Sequence, residues 1–277
     1  MLIRLAHSPD PDDAFMFYGL SSGGVDPRGY EFEHVLSDIQ TLNECAARGE
    51  YEVSAISIHA YPSVADKYAL MSCGCSMGDN YGPIVVTREP MSARDLKDKR
   101  IAIPGEMTTA FLTLQLLLGR GTFKHQVVMF DKILDEVQQG RFDAGLVIHE
   151  GQLTYESQGL HVAVDLGKWW LQRSGLPLPL GGNVIRRDLG EERCREVTAI
   201  IHESIAYALD HRDQAVDYAL KFGRGLDKQM ADKFVGMYVN EWTLDYGPRG
   251  REAVNRLLRE GAEAGIVEPV SEIEFLV

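Results

Sequence analysis

The chain has no apolar run long enough to span a membrane, and its start, Met1-Leu-Ile-Arg-Leu-Ala-His7-Ser8, lacks a charged segment followed by a long apolar one. A signal peptide and a membrane span are therefore not expected, and the reading is cytoplasmic. Basic residues are in the minority: 28 Lys and Arg stand against 41 Asp and Glu, for a formal net charge of -13. That balance argues against nucleic acid and against an anionic membrane as partners. It does not argue against an anionic small ligand, because local donors in a cleft outweigh a diffuse surface charge. Cysteine is scarce, with Cys45, Cys73, Cys75 and Cys194 the only four. The Cys73-Gly-Cys75 spacing is too tight for an ordinary zinc pair and no second pair matches it, so no metal site is expected and the thiols read as reduced and partly buried. There is no internal repeat and no low-complexity tract, and oligomeric state is left open.

What is present is an ordinary globular composition, 45% hydrophobic and 25% charged over 277 residues, enough for one large or two modest domains. Strand and helix patterns alternate, which suggests parallel crossover units. A short strand at 2–6 ends in a loop with two prolines, where Asp10 or Asp12 can cap a helix over about 14–21. Strands follow at 30–36 and 51–57, with a helix opening at 37 between them. Further strands are expected at 68–71, 83–87, 100–104, 127–130, 142–148, 160–164 and 183–186. The stretches 73–82 and 176–182 read as a glycine-rich loop and a Pro/Gly crossover. From Gly190 the chain turns helical, with Val197, Ile200, Ile201, Ile205, Ala208 and Leu209 on one apolar face. Trp242 and Tyr246 read as packing residues.

Three strand ends carry candidate chemistry. Gly145-Leu-Val-Ile-His149-Glu150-Gly151 reads as a buried strand opening into a loop, and ligands of open α/β sheets sit outside the carboxyl ends of strands. His149 is either a base or a hydrogen-bonded strand-end residue. Glu150 either orients the imidazole or faces solvent, and the alternation of strand side chains favours solvent. Thr108 and Thr109 open an apolar helix after Pro104-Gly105, where free N–H groups and hydroxyls form an anion site or serve only as a cap. Ser8 and the small-residue run ending at Ser57 lie at two more strand ends.

Two α/β blocks, a Pro/Gly crossover and a helical tail resemble a two-lobed type II periplasmic-binding-protein-like fold, α/β with a helical C-terminal segment. Lobe 1 would comprise residues 1–90 and 181–277 and lobe 2 residues 91–180, with the ligand cleft between them and crossings at 87–92 and 177–182. The motifs Ser8-Pro-Asp-Pro-Asp-Asp-Ala-Phe15, Asp38-Ile-Gln-Thr-Leu-Asn43, Ala55-Ile56-Ser57, Thr108-Thr109-Ala110, Ile148-His149-Glu150-Gly151 and Gly175-Leu-Pro-Leu-Pro-Leu-Gly181 resemble, in order, those of the 1,4-dihydroxy-6-naphthoate synthase family of menaquinone biosynthesis by the futalosine route. The resemblance implies cleavage of cyclic dehypoxanthinylfutalosine to 1,4-dihydroxy-6-naphthoate and dihydroxyacetone, with neither metal nor organic cofactor and a small-molecule carboxylate as partner. It places the family's histidine base on His149 and its substrate contacts on Ala55, Ile56, Ser57, Thr108 and Thr109; Ser8 joins them as a substrate-binding candidate from its place at a strand end. The chain departs from the family at Asp10, Asp12 and Ala14, where cysteine, asparagine and threonine are usual, and at Ala55, where a lysine or another polar residue is frequent.

Two other classes share these features. One is a solute-binding or ligand-sensing protein of the same fold, against which the lack of a signal sequence or lipobox cysteine counts. The other is a chorismate-dehydratase-like relative, which the His149 motif fits less well.

Overall fold

The computed structural model describes residues 1–222 and 226–276. Its strands in chain order are β1 (Leu2–His7), β2 (Glu31–Leu36), β3 (Val53–Ser57), β4 (Tyr68–Met71), β5 (Ser76–Gly78), β6 (Ile84–Thr87), β7 (Arg100–Ile103), β8 (Lys124–Val127), β9 (Ala144–Val147), β10 (His161–Asp165), β11 (Leu178–Arg186) and β12 (Phe275–Leu276). They form two sheets. One has the order β12-β4-β11-β3-β1-β2, with β5 also on β11; the other has the order β10-β6-β9-β7-β8. In the first, β1 runs parallel to β2 and β3, and the long β11 returns antiparallel to β3 and β4. In the second, β7 is parallel to β8 and β9, while β6 is antiparallel to β9 and β10.

Each sheet is covered by the apolar faces the sequence supplies. Helix Glu191–Asp210 buries Val197, Ile200, Ile201, Ile205 and Ala208. Ile3, Leu5, Phe15 and Phe17 of the first sheet and its first helix share that core. On the second sheet, helix Ile133–Gln138 lies so close to β9 that a Cβ at Gly145 would stand 2.5 Å from Ile133 Cγ2 and 2.7 Å from Val137 Cγ2. Trp242 and Tyr246 pack as expected, Tyr246 fully buried with its ring edge-on to Phe275. All four cysteines are buried free thiols, and burial pushes that of Cys73 up to about 12. Among the described residues no helix is long and apolar enough to cross a membrane, and no cluster of His, Cys, Asp or Glu is arranged to hold a metal.

Sheet membership differs from the boundaries drawn at 91 and 181. Ile84–Thr87, placed by sequence in the first lobe, is β6 at the heart of the second sheet, and Leu178 already pairs with Gly78 in the first. The chain therefore passes from the first sheet to the second within 79–83 and back within 166–177. The proline-rich run misled because Pro179 sits beside a register shift in the β11–β5 pairing, a place where a strand tolerates proline. The expected strand at 127–130 is instead Lys124–Val127, an exposed edge whose side chains carry no apolar period.

The two passages touch. Leu166 donates its N–H to Pro83 O at 2.9 Å, and a Cβ on Gly167 would lie 1.8 Å from Tyr81 O. No side chain fits there without parting the strand linkers. Gly167→Ala is expected to lower the unfolding free energy by about 1–3 kcal/mol. Urea denaturation reads it directly, and an unchanged midpoint would show that the contact is not tight.

Candidate functional site

The first sheet's contribution starts at the end of β1. Pro11 begins helix Pro11–Met16, and Asp10 holds the N-cap position without a capping side-chain bond. The cap bond expected at the start of this helix is not made by Asp10; instead Asp13, within the helix, reaches back and its Oδ2 accepts the Ser8 N–H at 2.7 Å. The Ser8 carbonyl is held by His7 Nδ1 at 2.9 Å, and His7 Nε2 meets His34 Nδ1 at 3.0 Å. Burial, with His34 beside it, pushes His7 down to about 3, so it is a neutral strut. The loop is strongly acidic. Burial and then the charges of Asp13 and Asp10 hold the Asp12 carboxyl well above the usual range. Burial raises Asp13 to about 6 against the opposing Ser8 hydrogen bonds.

At the end of β3, Ser57 is clamped by Asn43, a fully buried residue on helix Ile39–Arg48. Asn43 Oδ1 accepts the Ser57 N–H at 2.8 Å, and Asn43 Nδ2 donates to Ser57 Oγ at 3.1 Å and to Met107 O at 3.3 Å. Ser57 Oγ thus accepts internally and retains its own proton to give. Ala55 and Ile56 complete this wall.

At the end of β7, helix Thr109–Leu118 opens with Thr108 as its N-cap. Both threonine hydroxyls are engaged within the protein. Thr108 Oγ1 donates to Gly105 O at 2.8 Å and accepts from Phe111 N at 3.3 Å. Thr109 Oγ1 donates to Leu180 O at 2.5 Å and accepts from His59 N at 3.1 Å. What this helix start can offer an anion is its backbone: the N–H groups of Thr109 and Ala110 come before Phe111, the first N–H that donates within the helix, to Thr108 O.

These elements line one cleft. It encloses about 750 Å³ of empty space, mouth included, and is bounded by Ser8, Ala55, Ile56, Ser57, Thr108 and Thr109, all of them expected from sequence. It is also bounded by Asp12, Asp13, Asn183 and Tyr238, which sequence reading did not assign to a site. The signal for Asn43 was a polar residue beside Leu42, Cys45 and Ala46 on a buried face. For Tyr238, in a helix of regular apolar spacing, there was none.

His149 follows β9 and is buried, but Ile148, not His149, lines the cleft. The imidazole stands edge-on to Phe130, with ring centroids 5.5 Å apart. Gly151 makes room for it, since a Cβ there would be 2.9 Å from His149 Nε2. Glu150, expected to face solvent, is buried with 4% of its surface exposed. Strand alternation fails because the chain turns into helix Gly151–Thr154 straight after β9. One turn on, Gln152 Oε1 accepts the Tyr238 O–H at 2.8 Å, joining the His149 segment to the C-terminal helices beside the cleft.

The raised Asp13 carboxyl sets a pH dependence. Between the ordinary carboxylate range and about 6, the folded chain holds a proton that the unfolded chain releases, so stability falls as pH rises through that window. Asp13→Asn keeps an acceptor for the Ser8 N–H and removes the charge. It should be more stable than the parent at pH 7.5, with the gain fading towards pH 4. A difference independent of pH would refute the buried charge.

The sequence profile of a family described as menaquinone biosynthesis matches residues 3–263. A protein named 1,4-dihydroxy-6-naphtoate synthase from Thermus thermophilus is 42% identical over 96% of both chains. One of the same name from Streptomyces coelicolor is 36% identical over 96% of this chain and 94% of its own. A crystal structure of an Archaeoglobus fulgidus protein superposes with a TM-score of 0.92 at 46% identity, covering 96% of this chain and 98% of that one. A Candida albicans protein described as having the generic periplasmic binding protein fold superposes at 0.75 with 13% identity over 100% and 98% of the two chains. That last likeness speaks for the fold alone, which is the α/β periplasmic-binding-protein-like architecture expected from sequence.

Proposed function

The chain belongs to the menaquinone biosynthesis family, and from that premise we propose that it is a lyase cleaving cyclic dehypoxanthinylfutalosine to 1,4-dihydroxy-6-naphthoate and dihydroxyacetone, with His149 as the base. The observation that carries the reading is the meeting of two donor sets across one cleft. The Thr109 and Ala110 N–H groups lie on one side and the Ser57 hydroxyl, turned by Asn43, on the other. A helix start of this kind favours a carboxylate, by hydrogen bonding and by the aligned peptide dipoles. Ile39, Ile56, Ile148 and Leu180 offer apolar surface to a ring system between those donors and the acidic loop.

His149 supplies the remaining requirement, a group that takes a carbon-bound proton near neutral pH. Breaking the bond to the three-carbon fragment then leaves an aromatic ring, and that gain in the product drives the step. Because Ile148 rather than His149 lines the cleft, the base reaches substrate by a turn of its side chain or a closer approach of the two sheets. Ser57, Thr108, Thr109, Ala55, Ile56 and Ser8 form the binding surface, with the two threonines acting through backbone and helix geometry.

Turnover of the cyclic substrate by purified protein, followed by naphthoate absorbance, tests the activity. Ser57→Ala should weaken binding of the naphthoate product by about 1.5–3 kcal/mol, the value of a hydrogen bond to a charged group. Unchanged product affinity would move the carboxylate elsewhere. His149→Asn preserves size and hydrogen bonding but cannot accept the proton. It should keep product affinity and melting temperature while losing turnover by roughly a hundredfold or more. Parent activity should fall at acid pH as the imidazole is protonated. A solute-binding protein of this fold would show ligand affinity in both forms and turnover in neither.

A further inference from the structure

One polar side chain in the cleft has no task in the fold. Asn183, on β11, is 1% exposed and lines the cleft, yet its Nδ2 has no hydrogen-bond partner. Buried amide groups are nearly always satisfied, and leaving one without a partner opposes folding. The chain nevertheless accommodates it. Gly74 has φ of 79°, and a Cβ there would lie 2.1 Å from Asn183 Nδ2, so the amide occupies space that only a glycine leaves.

The register of the first sheet says what this amide faces. Asn183 is directly opposite Ala55 in the antiparallel β11–β3 ladder, so the two side chains share a face. On the other side of β3, Ala6 pairs with Ser54, one residue before the loop that carries Ser8, Asp12 and Asp13. The small Ala55 therefore separates an unpartnered amide from an acidic rim, and all of them line the same cleft. A carboxylate is disfavoured beside Asp10, Asp12 and Asp13. A hydroxyl or a ketone oxygen is not, and an amide, whose terminal torsion is soft, can present either its NH₂ or its carbonyl to such a group.

We propose that Asn183 is a substrate-contacting residue that hydrogen-bonds the uncharged, hydroxyl-bearing part of the ligand across Ala55, so that the substrate lies with its carboxylate at the Thr109 helix start and its hydroxylated carbons towards Asn183 and the acidic loop. The inference rests on the lyase reading and assigns that site its second specificity element. It makes Asn183 a determinant of which carboxylates are substrates, since an aromatic acid without the hydroxylated fragment has nothing to offer it.

The test uses two ligands on one set of proteins. Asn183→Ala and the nearly isosteric Asn183→Leu are compared with the parent for affinity towards 1,4-dihydroxy-6-naphthoate, which lacks the fragment, and for KM of the cyclic substrate, which carries it. Melting temperatures are recorded alongside. The expected result is a substrate KM raised roughly three- to tenfold, the effect of losing one neutral hydrogen bond. Product affinity should be unchanged and the melting temperature equal to or above that of the parent. An unchanged substrate KM in both variants overturns the proposal. So does a parallel loss of affinity for both ligands, or a failure of both variants to fold, since each would make the amide structural. Failure of the parent itself to bind or turn over the cyclic substrate is a different result: it rejects the lyase reading and this inference with it.

Discussion

The cleft depends on how the backbone of one residue, Met107, is held on both sides. Its N–H is taken by Gln40 Oε1 at 3.0 Å and its carbonyl by Asn43 Nδ2 at 3.3 Å, both from helix Ile39–Arg48 of the other sheet. Gly105 is glycine because Gln40 Oε1 would stand 2.2 Å from a Cβ there. This double hold fixes where helix Thr109–Leu118 begins relative to Ser57, which the same Asn43 also grips. A helix start directs its dipole only along its own axis, so its use to a ligand falls off within a turn. Holding the Met107 backbone from across the cleft is what sets the N–H groups of the second sheet and the hydroxyl of the first on the wall of one cleft. The tie from Thr109 Oγ1 to Leu180 O adds a second fixed point, between the helix and β11.

The charge distribution complements this. On the proposed reading, a chain of net charge -13 has to gather a carboxylate against its own field. The means are local: backbone donors at one end of the cleft, and at the other the acidic loop of Asp10, Asp12 and Asp13, whose Asp13 is raised by burial to about 6 and so is still ionised at neutral pH. The acidic loop therefore does more than lower the affinity for anions in general. It gives the cleft a polarity, so that an elongated ligand with one carboxylate has one favoured direction of entry. His7 and His34 hold the loop without adding charge, because burial leaves both with lowered proton affinity.

The alternation of strands and helices, the family motifs and the apolar face of helix Glu191–Asp210 were legible in sequence because each is a local pattern that packing then obeys. The misread features are those where tertiary contact decides. The Leu176–Gly182 run carries the residues of a loop, but β5 and a register shift draw most of it into a sheet. The threonine hydroxyls at 108 and 109 look like ligand donors until Gly105, Leu180 and His59 are seen to occupy them. Glu150 faces inward because the strand period stops at Val147. Asn183 was invisible as a site residue, since nothing local distinguishes an amide with a partner from one without.

The same contrast bears on His149. Its position just beyond β9 was readable, but its immediate surroundings were not: Phe130 on one side, the space left by Gly151 on the other, and Ile148 towards the cleft. If His149 is the base proposed above, its absence from the cleft lining shields it from bulk water and requires movement before it can act. The structure offers a route for coupling that movement to binding. Gln152, one helical turn after His149, is hydrogen-bonded to Tyr238, and Tyr238 is itself part of the cleft wall. Any ligand that displaces the tyrosine shifts the acceptor of its hydroxyl, and Gln152 donates its N–H to the His149 carbonyl at 2.9 Å. A ligand long enough to reach Tyr238 would therefore act on the histidine's backbone, whereas a ligand confined to the Thr109 end would not. On the proposed reading, binding of a carboxylate at the Thr109 end and engagement of His149 are in this way separable, and only a molecule spanning both ends of the cleft would engage the two together.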